Sequence, residues 1–237
     1  MSNSKILPTH LAIICDGNRR WAKSHGWDVL RGHQFAIDEI FEPLADHAAT
    51  LGIDYITFWV FSTENWDRER REVTALMNLF RKVFDEKVPR LHEKNYRIKH
   101  IGNVAGLPKD IQKRIADGVA LTKKNTGLTL TFAMNYGGHD ELQRAIQKIG
   151  KKVLVGKLKP EEITEQVIAS HLDTADMPEP DFIVRTSGEQ RLSGFMSWQS
   201  NYAEFCFPKF DFPEFTPDKL DEVLADFAKR KRRFGAG

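Results

Sequence analysis

The residues with the most chemistry in them stand at the ends of short apolar runs. Leu11 to Cys15 stops at Asp16, and Gly17, Asn18, Arg19, Arg20 and Trp21 follow at once. A second run ends in "FSTENWDR" (61–68), which carries Ser62, Glu64, Asn65, Trp66 and Arg68. A later one ends in "NYGG" (135–138), and another in "RTSGEQRLS" (185–193), which carries Arg185, Arg191 and Ser193. Glycine at 17 lets backbone N–H groups approach a ligand closely, and a helix or turn after it would aim them at an anion. The arginines are planar, permanently charged donors suited to phosphate oxygens. Asp16 and Glu204 are acids available to a hard cation, so the set reads as a magnesium-assisted diphosphate site. Neither GxxxxGK[ST] nor GxGxxG occurs.

Each piece also has a plainer reading. Asp-Gly after a strand is usually a turn, exposed arginines are usually solvated, and "KRKRRF" near the C-terminus suits a solvated helix face. Trp21, Trp66 and Trp198 suit a core. Convergence weighs against these readings. The candidate strands are 11–15, 55–61, 97–102, 128–136, 181–186 and 203–207, alternating with helical patterns at 34–50, 73–88, 109–124, 140–150 and 160–171. The second helix is expected to end near Pro89, and a last one to start after Thr216-Pro217. Such alternation predicts a mainly parallel six-stranded sheet flanked by helices, in which ligands bind beyond the carboxyl ends of the strands. The polar loops then meet on one edge.

Composition narrows the class. The chain has 237 residues, 41% hydrophobic and 29% charged, with a net charge of +2. That fits one globular domain over 1–237 and gives no global reason to bind nucleic acid. Cys15 and Cys206 sit in apolar runs and read as buried free thiols. The histidines form no HxxxH pair, which argues against zinc. No apolar run approaches the roughly 20 residues of a membrane span, and no signal-peptide core is seen, so a soluble cytoplasmic protein is expected.

Taken together, "HLAIICDGNRRWA", "FSTENWDR", "NTGLTLTFAMNYGG", "RTSGEQRLSGFMSWQSNYAEF" and the terminal "RRFG" resemble the cis-prenyltransferases, in particular the bacterial undecaprenyl diphosphate synthases. The motifs run in family order from residue 10 to 235. The resemblance implies an apolar tunnel and the condensation of isopentenyl diphosphate onto an allylic diphosphate, usually farnesyl diphosphate, with Mg2+. It implies that Gly17, Asn18, Arg19, Arg20 and Arg68 bind the allylic diphosphate and that Trp21 is a substrate-binding residue. Asp16 would act as catalytic residue and metal ligand, and Glu204 would help place the metal. Arg185, Arg191 and Ser193 match positions that hold isopentenyl diphosphate. Asn65 matches a catalytic position, and His33, Ser62, Glu64 and Trp66 match substrate-binding ones. Leu76, Phe80 and Phe84 suit a tunnel wall or plain core. The end, 228–237, with Arg233 in an RxG element, would reach the neighbouring subunit of a homodimer, while 1–9 would be flexible. Transient membrane contact on product release fits the same picture.

The chain also departs from the pattern. Val29 stands where many relatives have arginine, with Arg31 displaced from it, and Val60 stands where long-chain members often have alanine. A bulkier wall would shorten the product, so a short- or medium-chain synthase is the alternative within enzymes. From another class, a non-catalytic partner subunit would lack the acid and the phosphate arginines, which are all present here.

Overall fold

The computed structural model describes residues 6–230. The tail with Arg233, and residues 1–5 of the flexible lead expected at 1–9, lie outside the described residues. Within them, Leu7 packs against the core and the Asp181 carboxylate accepts the Thr9 N–H at 2.7 Å.

All six expected strands form, as β1 (His10–Ile14), β2 (Tyr55–Ser62), β3 (Arg97–Ile101), β4 (Thr129–Tyr136), β5 (Phe182–Arg185) and β6 (Glu204–Cys206). They make one sheet in the order β3-β4-β2-β1-β5-β6, and every pairing is parallel. The chain starts in the middle with β1, moves out on one side through β2 to β4, then returns to the other side for β5 and β6. A crevice for ligands opens where such a sheet reverses direction, which here is at β1. Register sharpens this. Ile14 lies opposite both Trp59 and Arg185, so β1 and β5 end together, beside β2.

Strand β1 is wholly buried because both faces of the sheet are covered. Leu11 and Ile13 join the large core on one face, while Ala12 and Ile14 join a smaller cluster with Phe195 and Met196 on the other. That is the period-two alternation of a strand between two layers. The helices are α1 (Asn18–Ser24), α2 (Val29–Phe35), α3 (Phe41–Leu51), α4 (Arg70–Lys82), α5 (Val88–Glu93), α6 (Lys109–Thr122), α7 (Gly138–Leu154), α8 (Glu165–Ala169) and α9 (Pro217–Lys229). Apolar stripes of α3 to α6 and α9 fill the large core.

Three helical expectations need correction. The pattern at 34–50 starts earlier, at α2, where the Asp28 carboxylate accepts the Leu30 N–H. It then passes through a π-helical turn, Ala36–Ile40, into α3. The helix expected to stop near Pro89 runs on to Glu93, because a second π turn, Val83–Lys87, puts Pro89 in the first turn of α5, where a missing N–H is tolerated. The helix expected at 160–171 breaks into a 3-10 turn, Pro160–Glu162, and the short α8, whose start Thr164 caps.

Strand β2 carries a bulge. Trp59 lies opposite Ala133 but Phe61 lies opposite Met134, leaving Val60 as an extra residue. Asn135, at φ 51°, is the extra residue on β4 that restores register before Ser62 meets Tyr136. A bulge turns successive side chains to one face, and Val60 and Phe61 both join Phe58 on the side of the large core.

Helices α1 and α2 touch at Gly32. A Cβ there would lie 2.1 Å from the Asn18 carbonyl oxygen, which is backbone and cannot swing aside. Helix propensity alone would make Gly32→Ala stabilising by about 1 kcal/mol. We expect the opposite sign, a loss of about 1–3 kcal/mol from overpacking, read by urea unfolding. Stability equal to or above that of the parent would contradict this packing.

Candidate functional site

Asp16 is held in place by its own backbone. Its N–H donates to the Thr186 hydroxyl at 3.0 Å, and its carbonyl accepts the Thr186 O–H at 2.6 Å and the Phe212 N–H at 2.9 Å. Gly17 follows at φ +100°, and an added Cβ would strike the Asp211 carboxylate at 2.2 Å. Both the left-handed backbone and the close approach therefore require glycine. Asp211 in turn accepts the Ser187 O–H at 2.8 Å. The loops after β1 and β5 and the segment at 211–212 are thus stitched together around one carboxyl group.

The Asp16 carboxylate accepts the Gly17 N–H at 2.7 Å and the Arg185 guanidinium at 2.8 Å. Arg185 is only 6% exposed and also donates to the Ser193 hydroxyl and the Arg191 carbonyl. Other arginines have acids of their own. Glu72, a buried side chain on α4, takes Arg68 at 2.9 Å and Arg19 at 3.8 Å. Glu189 takes Arg191 at 2.5 Å and Arg20 at 3.5 Å. Asn65 accepts the Ser62 N–H in a reciprocal cap that fixes the turn after β2.

Two cavities meet here. A polar one of about 350 Å³ is lined by Gly17, Arg19, Arg20 and Lys23 of the first loop and α1. An apolar one of about 260 Å³ runs along Phe58, Val60, Phe61, Leu76, Phe80 and Phe84, with Ser62, Asn65, Arg185 and Ser193 near its polar end. They share Cys15, Asp16, Asn18, His33 and Arg68. A space that is charged at one end and apolar at the other accepts a ligand with an anionic head and a hydrocarbon body. At the junction, His33 Nε2 and Asn18 Oδ1 are buried without a hydrogen-bond partner among the described residues. The ring nitrogen can donate to such a head, while the amide oxygen accepts and so suits a water or a cation beside it.

The structure leaves other candidates apart. Trp21 is buried in an aromatic cluster with Phe35, Trp27 and His25. Trp66 rests edge-on against Phe61 and donates its indole N–H to Asn135, while Glu64 is exposed beside Thr63, and neither lines either of these two cavities. Glu204 lies opposite Phe182, toward the amino end of β5, with Arg230 on it at 2.9 Å. One chain therefore does not bring Glu204 to Asp16. Arg31, near Val29, stacks on the Trp27 ring at 3.9 Å. Lys23 went unnoticed in the sequence because the stretch after Gly17 reads as a loop; once it is a helix, Lys23 falls on the face of Arg19 and Arg20.

Comparison with known proteins bears on these loops. The family described as "Putative undecaprenyl diphosphate synthase" matches residues 14–235. A ditrans,polycis-undecaprenyl-diphosphate synthase of Vibrio vulnificus, specific for (2E,6E)-farnesyl diphosphate, is 43% identical over 99% of this chain and 95% of its own. An isoprenyl transferase of Streptococcus thermophilus is 44% identical over 97% and 93%. Among solved structures, lavandulyl diphosphate synthase from Lavandula x intermedia, in complex with dimethylallyl diphosphate, superposes with a TM-score of 0.93. It shares 36% identity over 97% of this chain and 98% of that one.

Burial holds the His33 imidazole down at about 4, with Arg68 and Arg19 adding to it, so its ring is neutral near pH 7. Burial does the same to His10 and His100. All three titrate near 6.5 when unfolded, so between pH 6.5 and about 4 the unfolded chain holds more protons than the folded one. Stability must then fall as pH falls, by roughly 1.4 kcal/mol per pH unit for each such ring. His33→Gln removes one ring's share. Urea unfolding from pH 7 to 4.5 should show a shallower slope for this variant, and parallel slopes would mean that His33 is not held neutral.

Proposed function

This chain belongs to the undecaprenyl diphosphate synthase family and is a cis-prenyltransferase, and we propose that it condenses isopentenyl diphosphate onto farnesyl diphosphate to build undecaprenyl diphosphate, the cell-wall lipid carrier precursor. The observation that carries this reading is the junction of a charged cavity with an apolar one at Asp16, His33 and Arg68. The head of the allylic substrate lies with Gly17, Asn18, Arg19, Arg20 and Arg68, and its hydrocarbon runs past Val60 toward Phe80 and Phe84. Isopentenyl diphosphate lies with Arg185, Arg191 and Ser193.

Asp16 suits Mg2+. Its carboxylate lines both cavities, and among the described residues no cluster of three His, Cys, Asp or Glu side chains holds a metal alone. A hard cation at one carboxylate takes its remaining oxygens from diphosphate and water. When bound, it neutralises charge on the leaving diphosphate. The residues of the chain do the rest. As the allylic C–O bond breaks, Arg20 and Arg68 face the charge gathering on the departing oxygens. The double bond of isopentenyl diphosphate closes on the allylic carbon, one proton leaves, and the chain grows by one cis unit. Asn65, fixed by Ser62, and neutral His33 orient the two heads, and the apolar wall keeps water from the cationic carbon.

A shorter product is the second reading. Val60 is turned into the cavity by its bulge, and the lavender neighbour was solved with the five-carbon dimethylallyl diphosphate. The enzyme works in the cytoplasm as a homodimer, with transient membrane contact on product release. Arg230, three residues ahead of Arg233, is tied to β6 at Glu204, and the tail beyond it would complete a neighbour's isopentenyl site.

Incubation with farnesyl diphosphate, labelled isopentenyl diphosphate and Mg2+, followed by chromatography of the dephosphorylated products, tests the reading. Polyprenols of about eleven units support it, short ones favour the second reading, and no condensation rejects both. Val60→Ala should lengthen the products and Val60→Leu should shorten them; an unchanged pattern in both removes Val60 from the wall. Asp16→Ala should lower kcat by at least a hundredfold with substrate binding largely kept, because the group acts mainly in the transition state; near-normal turnover would refute its role. Sedimentation equilibrium of the full chain should give a dimer mass, and a monomer would exclude the shared site.

A further inference from the structure

Among the described residues, Lys23 is the cation of the polar cavity that no acid holds. Arg68 and Arg19 share Glu72, Arg20 and Arg191 share Glu189, and Arg185 sits on Asp16. Lys23 lines the polar cavity, and it has no carboxylate within salt-bridge reach among the described residues. Its position follows from α1. Lys23 is four residues past Arg19 and three past Arg20, so the three heads share one helix face. Helix α2, packed across α1, adds no second cation to this cavity: it supplies His33, which is neutral near pH 7, while Arg31 is stacked on Trp27.

This arrangement matters for an incoming polyanion. Each arginine must trade a carboxylate for a phosphate oxygen, and the gain is the difference between two ion pairs. An unpaired ammonium trades only water. Its field is also not cancelled locally, so it attracts a diphosphate before contact is made. We propose that Lys23 binds the outer phosphate of the allylic diphosphate and governs its capture, as a further substrate-binding residue of the polar cavity. The proposal rests on the reading that this cavity takes the allylic head. The plainer account is that Lys23, in the last turn of α1, only offsets the negative end of that short helix. That account would move stability and leave substrate affinity alone.

The experiment uses the full chain and titrates farnesyl diphosphate calorimetrically into wild type, Lys23→Ala and Lys23→Arg, without isopentenyl diphosphate. Steady-state kinetics of each protein run in parallel. Lys23→Ala should weaken farnesyl diphosphate binding about tenfold, the scale of one charge-assisted hydrogen bond. In turnover the loss should fall on KM for farnesyl diphosphate rather than on kcat, with KM for isopentenyl diphosphate unmoved. Lys23→Arg should recover most of the affinity. The wild-type KM should rise with ionic strength more steeply than that of Lys23→Ala, because the lost charge is a solvent-exposed one. Equal affinity in wild type and Lys23→Ala, with wild type binding normally, overturns the role of Lys23 alone. So does a loss in Lys23→Ala that Lys23→Arg does not repair, since arginine would serve a phosphate as well. If wild type itself binds no farnesyl diphosphate, the reading of the cavity fails instead.

Discussion

The peptide of Asp16 is gripped from two sides, by the Thr186 hydroxyl and by the Phe212 N–H, and the site is arranged around that grip. It fixes one carboxylate where the sheet changes direction. It also forces Gly17 into a left-handed turn against Asp211, which launches α1 with its basic face toward the polar cavity. Gly32 lets α2 cross α1 at backbone contact and so delivers His33 to the same place. Remove the grip and the acid, the basic helix and the neutral histidine lose their common reference.

Electrostatics then explains how so many arginines coexist in a small space. Arg19, Arg20, Arg68, Arg185 and Arg191 would repel one another if left bare. Glu72, Glu189 and Asp16 each neutralise part of the set. Glu72 is well placed for this because its side chain is buried, where less water screens it. These acids also hold the guanidinium groups in defined directions, so less ordering remains to be done when a ligand arrives. Glu189 further ties Arg20 on α1 to Arg191 beyond β5, linking the two sides of the crevice.

Much of this was legible in the residues. The strands announced themselves as apolar runs cut off by Asp16, Ser62, Asn135 and Arg185, because burial on both faces demands such runs. The convergence of their loops followed from parallel order alone. What stayed hidden was set by contacts distant in sequence. The pairing of Arg19 with Glu72 spans the chain from α1 to α4, and nothing local in either stretch encodes it. Helix α1 was missed because seven residues whose only buried apolar side chains are Trp21 and Ala22 give no apolar stripe to detect. Trp21 read equally as site or core until its packing on Phe35 and Trp27 was seen. Glu204 shares a motif with neighbours of the site, yet register sends it toward the other end of the sheet. Pro89 looked like a stop because a π turn leaves no mark in composition.

The paired irregularities in β2 and β4 have a consequence for how this wall can change over time. Val60 and Asn135 are single extra residues on adjacent strands, and each cancels the slip of the other. Losing either one alone would shift every later partner by one place and turn Ser62 and its cap away from the crevice. The lining is therefore locked in length but free in side-chain volume. Descendants of this sequence can explore new cavity shapes by exchanging one residue for another at position 60, while insertion and deletion there are closed to them unless both strands change together.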